Sequence, residues 1–241
     1  MLRKNSDVVL TAIREIHSAD TQAGIVDILT DYVSGYGFSQ IFLGQLVNPA
    51  NVPLDQIMFV STWPAELQAR RQDQYAILHD PIARTALRSK RPFRWVDALK
   101  DASSKGRQIV GMTRDYGIRD GYMFPFHALD SVSGGVSLGG DNLSVSPEDI
   151  SEIELVVHNA YSRLEHLLGP FPYQMMVDLS PRECEVVQFA ASGKTNIEIA
   201  EILGIQMDTV KKTLKRACEK LGASNRAHAV ANAIAKNVIF A

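Results

Sequence analysis

The sequence predicts two domains of different class: an α+β domain, built as an α/β/α sandwich around an antiparallel sheet, followed by an all-α helix-turn-helix domain. Three observations lead there. Helix and strand periodicities mix upstream of the proline- and glycine-bearing stretch GPFPYQMMVD at 169–178, and only helical signals follow it. Two capping boxes with glycine stops crowd the downstream part. Finally, the 241-residue chain has a formal net charge of −2, yet from Met176 onward nine Lys/Arg stand against seven Asp/Glu. The domains are therefore drawn at 1–168 and 178–241, with a linker at 169–177.

Within the first domain, apolar spacing predicts helices at 7–17, 21–36, 65–74, 81–88 and 103–116. The stretches SQIFLGQLV and QIMFVST read as strands, and GYMFPFHALDSVSGGVSLGG as two more joined at 130–134. A long helix begins after Ser146, with Pro147 at its first position and acids in its first turn, and runs to Leu168. There are no internal repeats.

A composition of 46% hydrophobic and 22% charged residues is ordinary for a globular protein. No run of 18 apolar residues occurs, and Arg14 and Glu15 interrupt the amino-terminal apolar stretch, so a soluble, cytoplasmic protein without a membrane partner is expected. The two cysteines, Cys184 and Cys218, form no CxxC pair and lack a histidine at ligand spacing, and the six histidines are scattered. Neither a metal nor a cofactor is expected.

In the second domain Ser180-Pro181-Arg182-Glu183 is a capping box that opens a helix ended by Gly193. Thr195-Asn196-Ile197-Glu198 opens a shorter one, with Ile197, Ala200 and Leu203 expected inward and Gly204 as its stop. Then comes TVKKTLKRACEKLG. At about 100° per residue it places Val210, Leu214, Ala217, Cys218 and Leu221 on one side and Lys211, Lys212, Lys215, Arg216 and Lys220 on the other. A solvated basic face is common by itself. Behind a capped short helix and a glycine turn, it is the pattern by which a helix-turn-helix reads the DNA major groove.

Residues 179–234 resemble the four-helix DNA-binding domain of LuxR-type transcriptional regulators, through Glu183, Gly193, Lys194, Thr195, Ile199, Ala200, Leu203, Gly204, Thr209, Val210, Lys220, Leu221, Asn225, Arg226 and Ala229. The resemblance implies that Lys211 and Lys215 face bases with Lys212 beside them, and that Thr195 and Thr209 bind phosphates, helped by Lys194 and Lys220. Thr195 caps its helix in either case, and phosphate contact is an addition to that role. Lysine lacks the planar fork of arginine, so each base contact should discriminate modestly. The last helix, 226–234, is expected to expose Ala229 and Ala233 for pairing with its copy.

The order of a mixed domain followed by this unit resembles the quorum-sensing branch of that family, whose amino-terminal domain encloses an acyl-homoserine lactone. Asp80-Pro81 matches the family's amide-binding aspartate, Trp95 a tryptophan that walls the lactone ring, and Gly121 and Ser137 further pocket positions. Leu67 stands where the family has an indole donor to the lactone carbonyl, and Arg71 where it has a tyrosine facing the acyl carbonyl. Tyr75 lies one residue from the expected place of another aromatic, and Trp63 offers replacement aromatic surface. A buried carbonyl left unpaired by Leu67 would cost about 1–3 kcal/mol. Each position has a structural alternative: Asp80 as a helix cap, Trp95 as core, Ser137 as a strand hydroxyl with a local partner.

The function expected is a homodimeric transcription factor that binds an inverted-repeat promoter site on double-stranded DNA, addresses RNA polymerase, and responds to an acyl-homoserine lactone or related small molecule. A ligand-independent regulator, or one that silences a relative by heterodimerisation, is the alternative. Catalysis is not expected: the first domain has no cysteine, no Ser/His/Asp arrangement and no GxGxxG spacing. Nor does the amino terminus supply the acidic cluster of a phosphorylated receiver.

Overall fold

The computed structural model describes residues 2–45, 58–71, 79–127, 134–168, 179–236 and 238–239. These fall into two compact units, 2–168 and 179–239. The predicted linker at 169–177 and the loop at 130–133 lie outside the described residues.

In the first unit, α1 (Leu2–Ser18) buries Val9, Ala12 and Ile16, which recur along one face. Thr21 caps α2 (Gln22–Ser34) by accepting the Gly24 N–H, and Ile25, Leu29 and Val33 turn inward. Helix α7 (Pro147–Leu168) is opened by Ser146 and Asp149, whose side chains each accept the other's backbone N–H. Its buried stripe runs from Ile153 through Val157 and Ala160 to Leu164.

Five strands, β1 (Phe38–Gln45), β2 (Met58–Ser61), β3 (Phe93–Arg94), β4 (Asp120–Phe126) and β5 (Gly134–Gly140), form one sheet in the order β2-β1-β5-β4-β3. All neighbours are antiparallel. Strand alternation sends Ile41, Leu43, Phe124, Val136 and Leu138 into a core shared with α1, α2 and α7. The opposite face presents Phe42 and Met123 to a second core with Trp63, Leu67, Ile82, Trp95 and Val110, carried by shorter elements. These are α3 (Ala65–Arg71), α4 (Pro81–Ala86), α5 (Trp95–Leu99) and α6 (Ser104–Gly111), followed by a 3-10 turn (Met112–Tyr116). The expected α/β/α sandwich with an antiparallel sheet is thus observed.

Two local expectations change. The helix expected at 103–116 tightens into a 3-10 turn at Met112, because the Thr113 hydroxyl bonds the carbonyls of Val110 and Ile118 and folds the chain back. The pair β3–α5 was not anticipated, since a two-residue strand carries no period to read.

The second unit packs α8 (Pro181–Ala191), α9 (Asn196–Leu203), α10 (Met207–Leu221) and α11 (Arg226–Ala235) around one core. Both predicted capping boxes form, Ser180 with Glu183 and Thr195 with Glu198. Gly204 takes φ 62° between α9 and α10, a left-handed corner that any side chain would strain. Ile197, expected inward, is 59% exposed, and Ile199 with Ala200 fills the core instead. Ala229 and Ala233, expected on the surface, are 1% and 0% exposed: their small size lets α11 pack closely into the core.

Candidate functional site

The basic face expected to meet DNA lies on α10, which follows α9 after the turn at Gly204. Along α10, Val210, Leu214, Ala217 and Leu221 are buried, which turns Lys211, Lys212, Lys215 and Arg216 to solvent. Lys211 reaches Asp208 at 3.7 Å, an exposed pair of small energetic weight. Among the described residues Lys212, Lys215 and Arg216 have no ion-pair partner. Among the described residues the helix therefore carries three cations with no carboxylate within ion-pair distance.

The predicted phosphate ligands divide. Thr209 is exposed in the first turn of α10. The Thr195 hydroxyl accepts from the Glu198 N–H at 3.3 Å and donates to the Glu198 carboxylate at 2.9 Å, so it is engaged in its cap. Lys194 lies 3.7 Å from the same carboxylate. Lys220 donates to Glu183 at 2.7 Å, tying the end of α10 to the start of α8. Glu183 is 5% exposed. Burial alone would raise its pKa, but the Lys220 ammonium and the Ser180 N–H and hydroxyl outweigh it and hold the carboxyl below its usual range.

Arg226 is a positioning residue whose role the sequence did not disclose. From the start of α11 its guanidinium donates to the carbonyls of Ala190 (3.3 Å) and Lys194, and to the Asn196 side chain at 3.3 Å. It clamps the turn that presents Lys194 and Thr195. No local pattern could reveal a bond spanning more than thirty residues.

In the first unit the structure brings Trp63, Leu67 and Trp95 into one core beneath the sheet. The Trp63 and Trp95 rings lie 6.3 Å apart edge to face, and Phe42 stands 5.8 Å from Trp63. The indole N–H of Trp95 donates to the Ser137 hydroxyl at 3.1 Å. Glycines make this approach feasible: a side chain at Gly121 would overlap the Trp95 indole, and one at Gly139 would come within 2.9 Å of it. Asp80 is 7% exposed and caps α4, accepting from the N–H groups of Ile82 (2.8 Å) and Ala83 (3.4 Å). It is thereby fixed two residues from Ile82, a member of the same core. Leu67 is fully buried and offers no hydrogen bond. The Arg71 side chain and Tyr75 lie outside the described residues.

No group of three His, Cys, Asp or Glu residues able to hold a metal occurs among the described residues. No described helix is long and apolar enough to cross a membrane.

Comparison with known proteins matches residues 21–164 to the family described as autoinducer binding domain and residues 177–233 to the bacterial regulatory proteins of the luxR family. The transcriptional activator protein BjaR1 of Bradyrhizobium diazoefficiens is 34% identical over 207 residues, 85% of this chain and 84% of its own length. The quorum sensing-dependent transcriptional regulator RpaR of Rhodopseudomonas palustris is 32% identical over 209 residues, 86% and 85% of the two chains. Among solved structures, Escherichia coli SdiA has the same fold, with a TM-score of 0.66 at 19% identity over 97% of this chain and 98% of its own. SdiA in complex with octanoyl-rac-glycerol gives 0.65 at 20% identity over 95% and 93%.

Proposed function

Because the chain belongs to the LuxR family of quorum-sensing transcriptional regulators, with an autoinducer-binding domain and a DNA-binding domain, we propose that it binds an inverted-repeat promoter site as a homodimer under the control of a small molecule. The observation that carries this reading is the face of α10, where Lys212, Lys215 and Arg216 stand exposed with no ion-pair partner among the described residues. Lys211 and Lys215, one turn apart, enter the major groove, and Lys212 and Thr209 meet the backbone. Two reading heads related by a two-fold axis engage half-sites about 34–36 Å apart. The protein is a regulator and not an enzyme.

The signal is an acyl-homoserine lactone or a molecule with a related head group, held among Trp63, Leu67, Asp80, Trp95 and Ser137. Ligand that binds only the folded sensor stabilises it by mass action. A ligand-independent regulator is the second reading, and two observations favour it. Trp95 already satisfies its indole N–H on Ser137, and Leu67 provides no donor for a lactone carbonyl.

Selection of DNA sites from a random library by the purified full chain tests the first claim, with an inverted repeat as the expected product and a sequence-independent pool as the contrary one. Expression with and without added lactones separates the two readings of the sensor. Folded dimer that accumulates only with ligand supports signal control, whereas equal accumulation and equal DNA affinity without it support independence.

A further inference from the structure

Trp95 has a second side. Helices α5 and α6, the 3-10 turn and the start of β4 line an open cleft of about 560 Å³, within the range of about 300–1,000 Å³ usual for small-molecule sites. Its apolar wall is Trp95, Val96, Leu99 and Val110, and its polar lining is Lys100, Arg107, Arg114, Arg119 and Asp120.

The charges in that lining are unequally satisfied. Lys100 holds Asp97 at 2.6 Å, and Arg119 holds Asp141 at 3.0 Å. Asp120 is taken up by Arg94 and by the Gly121 N–H. Arg107 donates at 3.4 Å to the Lys100 carbonyl, and among the described residues neither Arg107 nor Arg114 has a carboxylate within ion-pair distance. Two guanidinium forks thus share one cleft with an apolar wall, and the carboxylate in its lining, Asp120, is held by Arg94 rather than by either of them. A planar fork matches the two oxygens of a carboxylate or phosphate.

We propose that this cleft is a second ligand site, for a small amphipathic anion in which a carboxylate or phosphate is joined to an apolar or aromatic body. The oxyanion sits between Arg107 and Arg114, and the body lies on Val96 and Leu99, above the buried Val110 and Trp95. Trp95 is shared: it lines this cleft and also bonds Ser137 and packs on Trp63 in the core beneath the sheet. Occupancy is therefore felt by the sensor core whichever signal the core accepts, and it is visible spectroscopically, because the chain's 2 tryptophans both stand there.

The test is calorimetric titration of the full chain with phenyl phosphate and with benzoate, using phenol and inorganic phosphate as half-ligands and tryptophan emission as a second readout. Saturable binding of either whole ligand to one site, about tenfold or more tighter than both half-ligands and accompanied by an emission change, is expected. Which of the two binds assigns the head group. Arg107→Gln/Arg114→Gln should lose about tenfold or more, with an unchanged melting profile because both side chains are exposed. Lys211→Gln/Lys215→Gln, which removes equal charge from the other unit, should bind as the natural chain does. The proposal is overturned if neither whole ligand saturates, if half-ligands bind equally well, or if both double variants weaken binding alike. Binding of poly-glutamate without binding of either small anion also overturns it, and reassigns the cleft to an acidic protein partner.

Discussion

The core beneath the sheet and the outward face of α10 treat their polar side chains in opposite ways. Beneath the sheet, Trp95, Ser137 and Asp80 spend their hydrogen bonds inside the fold, on one another and on the first turn of α4. On α10, Lys212, Lys215 and Arg216 have no ion-pair partner among the described residues. An inward group that serves the fold can serve a ligand only by exchanging partners, so its role cannot be separated from its packing. A solvated cation contributes little to stability, so a row of them left without a paired carboxylate marks a surface shaped for an outside partner. Changes beneath the sheet should consequently cost stability first, and changes on α10 should cost binding alone.

The largest expected effect is at Trp95. Trp95→Ala deletes a 2% exposed indole that rests on two glycines, leaving a cavity the strands cannot close, and should destabilise the first unit by about 3–5 kcal/mol in urea unfolding. A loss below about 1 kcal/mol would mean that this core is not packed as described.

Next comes Glu183→Gln, which removes the charge of the Lys220 ion pair while leaving an oxygen to accept the Ser180 N–H, and should cost the second unit about 1–2 kcal/mol. The pH dependence has a definite sign. The folded carboxyl is held below its unfolded value, so its stabilisation is present above the ordinary glutamate pKa and is lost as pH falls through the folded one. Melting temperature against pH should therefore drop less steeply in acid for Glu183→Gln than for the natural chain. Parallel curves would contradict the role given to this pair.

The smallest effect is at Ile197. Its 59% exposure implies that Ile197→Ser changes stability by no more than about 0.5 kcal/mol. If it were a core residue, as its spacing to Ala200 and Leu203 suggests, the loss would be about 2 kcal/mol or more by thermal melting.

Legibility in the sequence followed the range of each interaction. Caps act over three residues, and Ser146, Ser180 and Thr195 were all readable. The buried row of α10 repeats over four turns and was readable too. In eight-residue α9 too few turns exist to fix the buried face, so the spacing points Ile197 inward although it is exposed. Ala229 and Ala233 look like surface residues by size, and only the packing of α11 shows that small size is what burial there demands. The Trp95–Ser137 bond spans 42 residues and Lys220–Glu183 spans 37, and neither leaves a local trace.

The central claim is that the outward face of α10 is the part that reads DNA. Fluorescence anisotropy of a selected inverted-repeat duplex, titrated with the full chain and with Lys211→Gln/Lys212→Gln/Lys215→Gln across a salt series, tests it directly. The account predicts a loss of about a hundredfold or more in affinity, a salt slope shallower by about one for each phosphate contact removed, and an unchanged melting temperature. Equal affinity and an equal salt slope for the two proteins would contradict it.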